Sequence, residues 1–344
     1  MKRREFISYT AIASLGLSAM PALLTPKNPE NLILGQGSHR YQLDTGWGKL
    51  NPEQYPVKDC HEMVEDSQGR ILLLTTHTKN NVLIYDKSGK LLDSWGKEYP
   101  GAHGLTLSKE NGEDFLFISD NDRHQVIKTT LDGKVVMTLD YPSESGHYQK
   151  AEEYIPTEVA IGPNGDIYVA DGYGQQWITR YNHKGEYIRS FGGRGNEPHN
   201  LQNAHGICLD TRKPNQPCLI VSAREENAFK RYSLNGEYLE TIPLPGAYVC
   251  RPVIYGKYLY AAVLKSRAYA DDPSGLVTIL DAKNKEVSNL AGSKPKYKRD
   301  QPSEMYQTIK VFQFPHDVCI DSDENMYVAQ WNSGHVYPFK LNRI

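Results

Sequence analysis

Apolar residues recur along this chain in short runs, often alternating with polar ones, and turns rich in Gly, Asn and Asp divide the runs. A period of two marks strands rather than helices. Asp166-Ile167-Tyr168-Val169-Ala170-Asp171, Asn325-Met326-Tyr327-Val328-Ala329 and Tyr187-Ile188-Arg189-Ser190-Phe191-Gly192 read as strands. Hairpin signals accompany them: Tyr85-Asp86-Lys87-Ser88-Gly89-Lys90, Leu131-Asp132-Gly133-Lys134, Asn182-His183-Lys184-Gly185-Glu186 and Leu234-Asn235-Gly236-Glu237. In each, a Gly late in a short loop supplies the positive φ that closes a tight hairpin. Beyond the N-terminal segment no stretch keeps a helical period.

One unit repeats. It opens with a turn and an apolar alternation in His61-Glu62-Met63-Val64, His103-Gly104-Leu105-Thr106-Leu107, Thr157-Glu158-Val159-Ala160-Ile161, His205-Gly206-Ile207-Cys208-Leu209 and His316-Asp317-Val318-Cys319-Ile320. A weaker copy surrounds Arg251-Pro252-Val253-Ile254. From position 61 the starts lie 42, 54, 48, 46 and 65 residues apart. That spacing suits blades of four strands, two of them with insertions. The expectation is an all-β, six-bladed propeller forming one domain over residues 27–344. The sixth unit lacks an obvious fourth strand, which His39-Arg40-Tyr41-Gln42-Leu43-Asp44 can supply by pairing the two ends of the chain and removing a sheet edge.

The first residues are a separate object. Lys2-Arg3-Arg4-Glu5-Phe6-Ile7 is a twin-arginine pair followed by an aromatic and an aliphatic residue, and a mostly apolar stretch runs on to Leu24. Residues 1–26 read as a twin-arginine export signal, with a membrane anchor as the alternative, so a periplasmic or secreted location is expected, with no membrane span in the mature chain. Charge changes the picture by exclusion: 39 basic and 41 acidic residues, without a basic stripe, give no reason to expect nucleic acid. Gly (28) and Tyr (23) are plentiful, as tight turns and strands require. Cys60, Cys208, Cys218, Cys250 and Cys319 are odd in number and lack a C-x-x-C pair, so buried thiols are expected rather than a disulfide framework. A monomer is expected.

The repeat also places chemistry. Its first position falls where the innermost strand begins, facing the channel mouth. The occupants are His61, His103, Thr157, His205, a residue near Arg251, and His316. Ring closure would gather imidazoles distant in sequence into one place, a good site for Zn²⁺ or a similar divalent ion with a position left for substrate. Polar channel fillers bonded to water are the alternative. The expected metal trio is His103, His205 and His316; His61, Lys79, Arg251 and Phe314 are further channel candidates. Gly192-Gly193-Arg194-Gly195 looks like a phosphate loop but no helix follows it. Lys294 to Gln307 reads as a solvated insertion.

The repeat resembles the NHL-repeat propellers. Within them, six motifs in order resemble peptidyl-α-hydroxyglycine α-amidating lyase: Gly101-Ala102-His103-Gly104-Leu105, Pro156-Thr157-Glu158-Val159-Ala160, Asp171-Gly172-Tyr173, Ala204-His205-Gly206, Ala223-Arg224-Glu225-Glu226-Asn227 and Phe314-Pro315-His316-Asp317-Val318. The resemblance implies zinc on His103, His205 and His316, Tyr173 as the base and Arg224 on the substrate. It also implies a structural calcium held by Asp317 and the backbone oxygens of Met63 and Leu105. Two departures stand out. The family's first-blade catalytic Arg is absent where this chain has His77-Thr78-Lys79, and a Met before the last Pro-His is Phe314. Judged on chemistry alone, Tyr173 could equally cap a strand, and Arg224 could pair with Glu225 or Glu226. The expected function is a zinc-dependent carbon–nitrogen or carbon–oxygen lyase acting on a small hydroxylated, peptide- or carbohydrate-derived substrate. The competing reading is an NHL propeller without catalysis that binds a protein or glycan.

Overall fold

In a computed structural model, residues 25, 26, 29, 32–267 and 273–344 are described. The export signal expected over residues 1–26 lies outside them apart from its last two positions. Among the described residues no helix is long and apolar enough to cross a membrane.

Six antiparallel sheets follow one another around a ring, and in each of the first five the chain runs from the innermost strand outward in sequence order. Their innermost strands are Cys60–Glu65, Ala102–Glu110, Glu158–Ile161, Ala204–Asp210 and Ala247–Tyr255, and that of the sixth is Pro315–Ile320. The chain is a six-bladed β-propeller. The hairpin signals do as their chemistry dictates: Asp86 N–H bonds Lys90 O, Gly89 N–H bonds Asp86 O, and Gly89 takes φ of 92°.

The sixth sheet is built from both chain ends. Its order places Phe339–Arg343 beside His39–Asp44, with Tyr41 opposite Arg343 and Leu43 opposite Leu341. The expected closing strand is therefore in place, and a fifth strand, Ile33–Gln36, lies outside it. That extra strand is anchored to the fifth blade, where Gln36 N–H donates to Ser288 Oγ at 2.8 Å.

Among the described residues six apolar clusters, rather than one core, fill the six seams between blades. The run Ile71–Thr75 shows why second strands read as unbroken apolar segments. Successive side chains point to opposite faces, so Ile71 and Leu73 enter the seam with the sixth blade while Leu72 and Leu74 enter the seam with the second. Both faces are covered, and no polar face is left to alternate. All five cysteines are free, and all but the half-buried Cys208 are buried. The insertion over residues 294–307 is partly tied down. It carries a small hairpin, Tyr297–Lys298 with Gln301–Pro302, whose Tyr297 hydroxyl accepts Glu286 N–H at the outer strand of the fifth blade, and Met305 is buried between the fourth and fifth blades.

Candidate metal centre

At the entry of the innermost strands the ladder slips. Register irregularities fall at His61, at His103, across His205-Gly206, across Cys250-Arg251 and at His316. A β-bulge releases a residue from strict alternation and re-aims its side chain, and here the released residue is the blade-start position. In the third blade Thr157 stands just before the strand. The bulges turn four imidazoles toward the axis.

The four rings form one cluster. Those of His103, His205 and His316 make a near-equilateral triangle, with centroids 4.8 to 4.9 Å apart. His61 stands 4.6 Å from both His103 and His316. One ring nitrogen each from His61, His103 and His316 falls within a mutual 4.8 Å, and all three residues are buried. The structure thus draws the four rings together, but the donor atoms within mutual reach are those of His61, His103 and His316, and among the described residues His205 of the expected trio falls outside that group.

Backbone carbonyls fix the tautomers. His103 Nδ1–H donates to Thr157 O at 2.9 Å, and His316 Nδ1–H donates to His61 O at 3.1 Å, leaving each Nε2 as an electron-pair donor. Metal-ligating histidines are held in this way. Among the described residues His205 has no hydrogen-bond partner at either nitrogen, nor has His61 at Nδ1, although all are buried. Burial lowers the pKa of every ring, that of His103 to about 3, so the imidazoles are neutral. Orphaned buried nitrogens are costly, and a soft or borderline dication would satisfy them. The donor set fits such an ion.

Two further side chains border the cluster. Tyr173 stands at its rim, 38% exposed, with its hydroxyl 3.1 Å from His103 Nε2. Burial of that hydroxyl raises its pKa, while Arg224 works in the opposite direction. Arg224 begins a short 3-10 turn and is only 3% exposed. Its Nε–H donates to Val249 O at 3.1 Å, its Nη2 lies 2.9 Å from Cys250 Sγ, and its guanidinium covers the Tyr248 ring. Among the described residues no carboxylate pairs with it. Glu226, a partner weighed from sequence, pairs with Lys230 instead.

The other candidates do different work. Lys79 donates from Nζ to Glu53 O at the surface, at 2.9 Å, and makes no contact with the imidazoles. Phe314 packs edge-on against Trp331. Arg251 lies one layer deeper than the histidines and engages Asp317, Met63 and Leu105. Sequence reasoning missed that Cys250, rather than Arg251, holds the fifth blade-start position. The signal was present: Cys250-Arg251-Pro252-Val253-Ile254 aligns with the other openings once Cys is allowed in place of His.

The comparisons with known proteins agree in direction. No protein-family model matches the chain. Peptidyl-alpha-hydroxyglycine alpha-amidating lyase 1 of Drosophila melanogaster is 29% identical over 279 residues, covering 73% of this chain and 47% of that protein. Human NHL repeat-containing protein 3 is 24% identical over half of this chain and 51% of its own length. The chain thus spans about half the length of these curated relatives. A solved streptogramin B lyase superposes with a TM-score of 0.56 at 15% identity, covering 88% of this chain and 97% of the other, which bears on the fold alone. This chain is a six-bladed propeller that resembles amidating lyases.

Proposed function

We propose that the chain is an exported, metal-dependent lyase of amidating-lyase type, which cleaves a carbon–nitrogen or carbon–oxygen bond next to a hydroxyl-bearing carbon. The observation that carries this reading is the pairing of two buried features: imidazole nitrogens without hydrogen-bond partners, and a guanidinium with which no carboxylate among the described residues pairs. A structural role alone gives no reason to leave both unmatched. The similarity to amidating lyases supports the same direction. Export rests on the twin-arginine leader and places the activity in the periplasm or outside the cell.

A divalent ion such as zinc, held by His103 and His316 with His205 or His61, would supply Lewis acidity toward the substrate hydroxyl and ease ionisation of groups beside it. Arg224, fixed by Val249 O and Tyr248, holds a substrate carboxylate in a two-pronged grip. Tyr173, as the phenolate favoured by the neighbouring Arg224 guanidinium, takes the proton of the substrate hydroxyl and hands it to the departing nitrogen, its hydrogen bond to His103 Nε2 giving way where that nitrogen holds the ion. As the C–N bond breaks, that carbon becomes a carbonyl and the proton ends on the departing nitrogen. The products are an amide and a carbonyl acid, and no oxidant is needed.

The test is an α-hydroxyglycine peptide incubated with zinc-replete protein. Tyr173→Phe is expected to lower kcat by about 100-fold or more with little change in KM. Arg224→Ala is expected mainly to raise KM for substrates bearing a free carboxylate, and to matter less for their carboxamides. Failure of the wild-type chain to release the amide from such peptides, or from other carbinolamides, would remove the catalytic reading and favour the binding module. The surface placement of Lys79 is the observation on that side, since it leaves the first-blade Arg without a substitute at the site.

A further inference from the structure

One layer below the imidazoles, the next residue of each innermost strand forms a second ring: Glu62, Gly104, Glu158, Gly206, Arg251 and Asp317. Three are carboxyl residues, each no more than 1% exposed, and a single cation stands among them. Arg251 reaches from the fifth blade across the axis. Its Nε–H and Nη2–H donate to the two Asp317 oxygens at 3.0 and 2.7 Å, Nη1–H to Leu105 O at 2.9 Å, and Nη2–H to Met63 O at 3.2 Å. Glu62 and Glu158 stand 3.4 and 3.8 Å from the same guanidinium.

These are the oxygens that the resemblance to amidating lyases assigns to a structural calcium, and the residues present do not fit that ion. We propose that Arg251 replaces it: the chain carries its own cation on a side chain, and the ring is locked without calcium. The oxygen set is of the kind calcium takes, carboxylates with backbone carbonyls. Its centre, however, is filled by a planar fork whose donors match a carboxylate and two carbonyls. Calcium could enter only by expelling a buried guanidinium. Glu158 Oε2 is buried without a donor of its own, leaving the Arg251 charge as its compensation.

The inference is independent of any catalytic activity and is tested with calcium alone. Wild-type protein freed of calcium is expected to show no binding heat when Ca²⁺ is titrated to millimolar levels and no rise in Tm. Arg251→Ala, in calcium-free buffer, is expected to lose on the order of 10 °C in Tm, because three buried carboxyl groups lose their cation. Millimolar Ca²⁺ should restore much of that loss, and the smaller Mg²⁺ less of it. One calcium bound per wild-type chain, or an Arg251→Ala protein whose Tm ignores calcium, overturns the proposal. Should Arg251→Ala yield no folded protein with or without calcium, Arg251→Lys decides. Folding without calcium dependence upholds the replacement, and calcium binding by the lysine variant refutes it.

Discussion

A chain shortened to begin at residue 46 is expected to lose cooperative folding. The missing segment contributes Leu34, Tyr41 and Leu43, all no more than 2% exposed, to the seam between the fifth and sixth blades. At about 1.5 to 3 kcal/mol for each large side chain buried, the loss is roughly 5 to 9 kcal/mol. Whole domains are stable by only about 5 to 15 kcal/mol. The deletion also strips the pairing partner from Phe339–Arg343 and exposes an edge that invites association. The measurement is a circular-dichroism melt with size-exclusion chromatography. Broad, aggregating behaviour is expected, and a sharp transition within a few degrees of the full-length Tm would show that the ring holds without its clasp. As a control, His39–Asp44 appended after Ile344 through a tight turn should restore a cooperative melt, because Arg343 already lies opposite Tyr41.

His103→Ala is the second change with a large expected effect. His103, like His316, contacts the other three rings, and of these two only its Nε2 also meets the Tyr173 hydroxyl. Losing it should weaken zinc binding by at least on the order of 100-fold, since even second-shell changes reach that size. The stoichiometric metal expected of the wild-type chain would then be absent after gel filtration. The fold should survive at a cost of about 1 to 3 kcal/mol, from the Thr157 carbonyl left without its donor. Elemental analysis beside a thermal melt reads both effects. The same analysis of His61→Ala and His205→Ala ranks which of the two completes the ligand set. Wild-type protein that neither retains nor takes up a divalent transition metal would end the metal reading altogether.

How far the sequence carried depends on what each feature needed. Hairpins such as Asp86 to Lys90 were legible because a positive φ restricts the residue, and the blades were legible because their openings repeat. The imidazole cluster was legible once ring closure was assumed. Its bulges were not, because a bulge adds no residue type of its own. Cys250 escapes because the fifth opening replaces His-Gly with Cys-Arg, and a match anchored on Arg251 passes over it. The charge balance beneath the imidazoles was equally hidden. Glu62, Glu158 and Asp317 come from three blades, and nothing local in any of them says that one arginine from a fourth will meet all three. Ile33–Gln36 went unseen because a four-residue strand outside a complete sheet carries too little pattern.

The reach of Arg251 from the fifth blade to acceptors on the first, second and sixth has a consequence for traffic. Beyond it, on the far side from the imidazoles, lies an apolar vestibule lined by Val64, Leu107, Ile161, Val253 and Ile320. The guanidinium is a partition between that vestibule and the histidine cup, so the passage along the axis is no thoroughfare. A molecule bound among the rings would therefore come and go on the side of Tyr173, the exposed side chain at their rim, so that one visitor would have to leave before the next could enter.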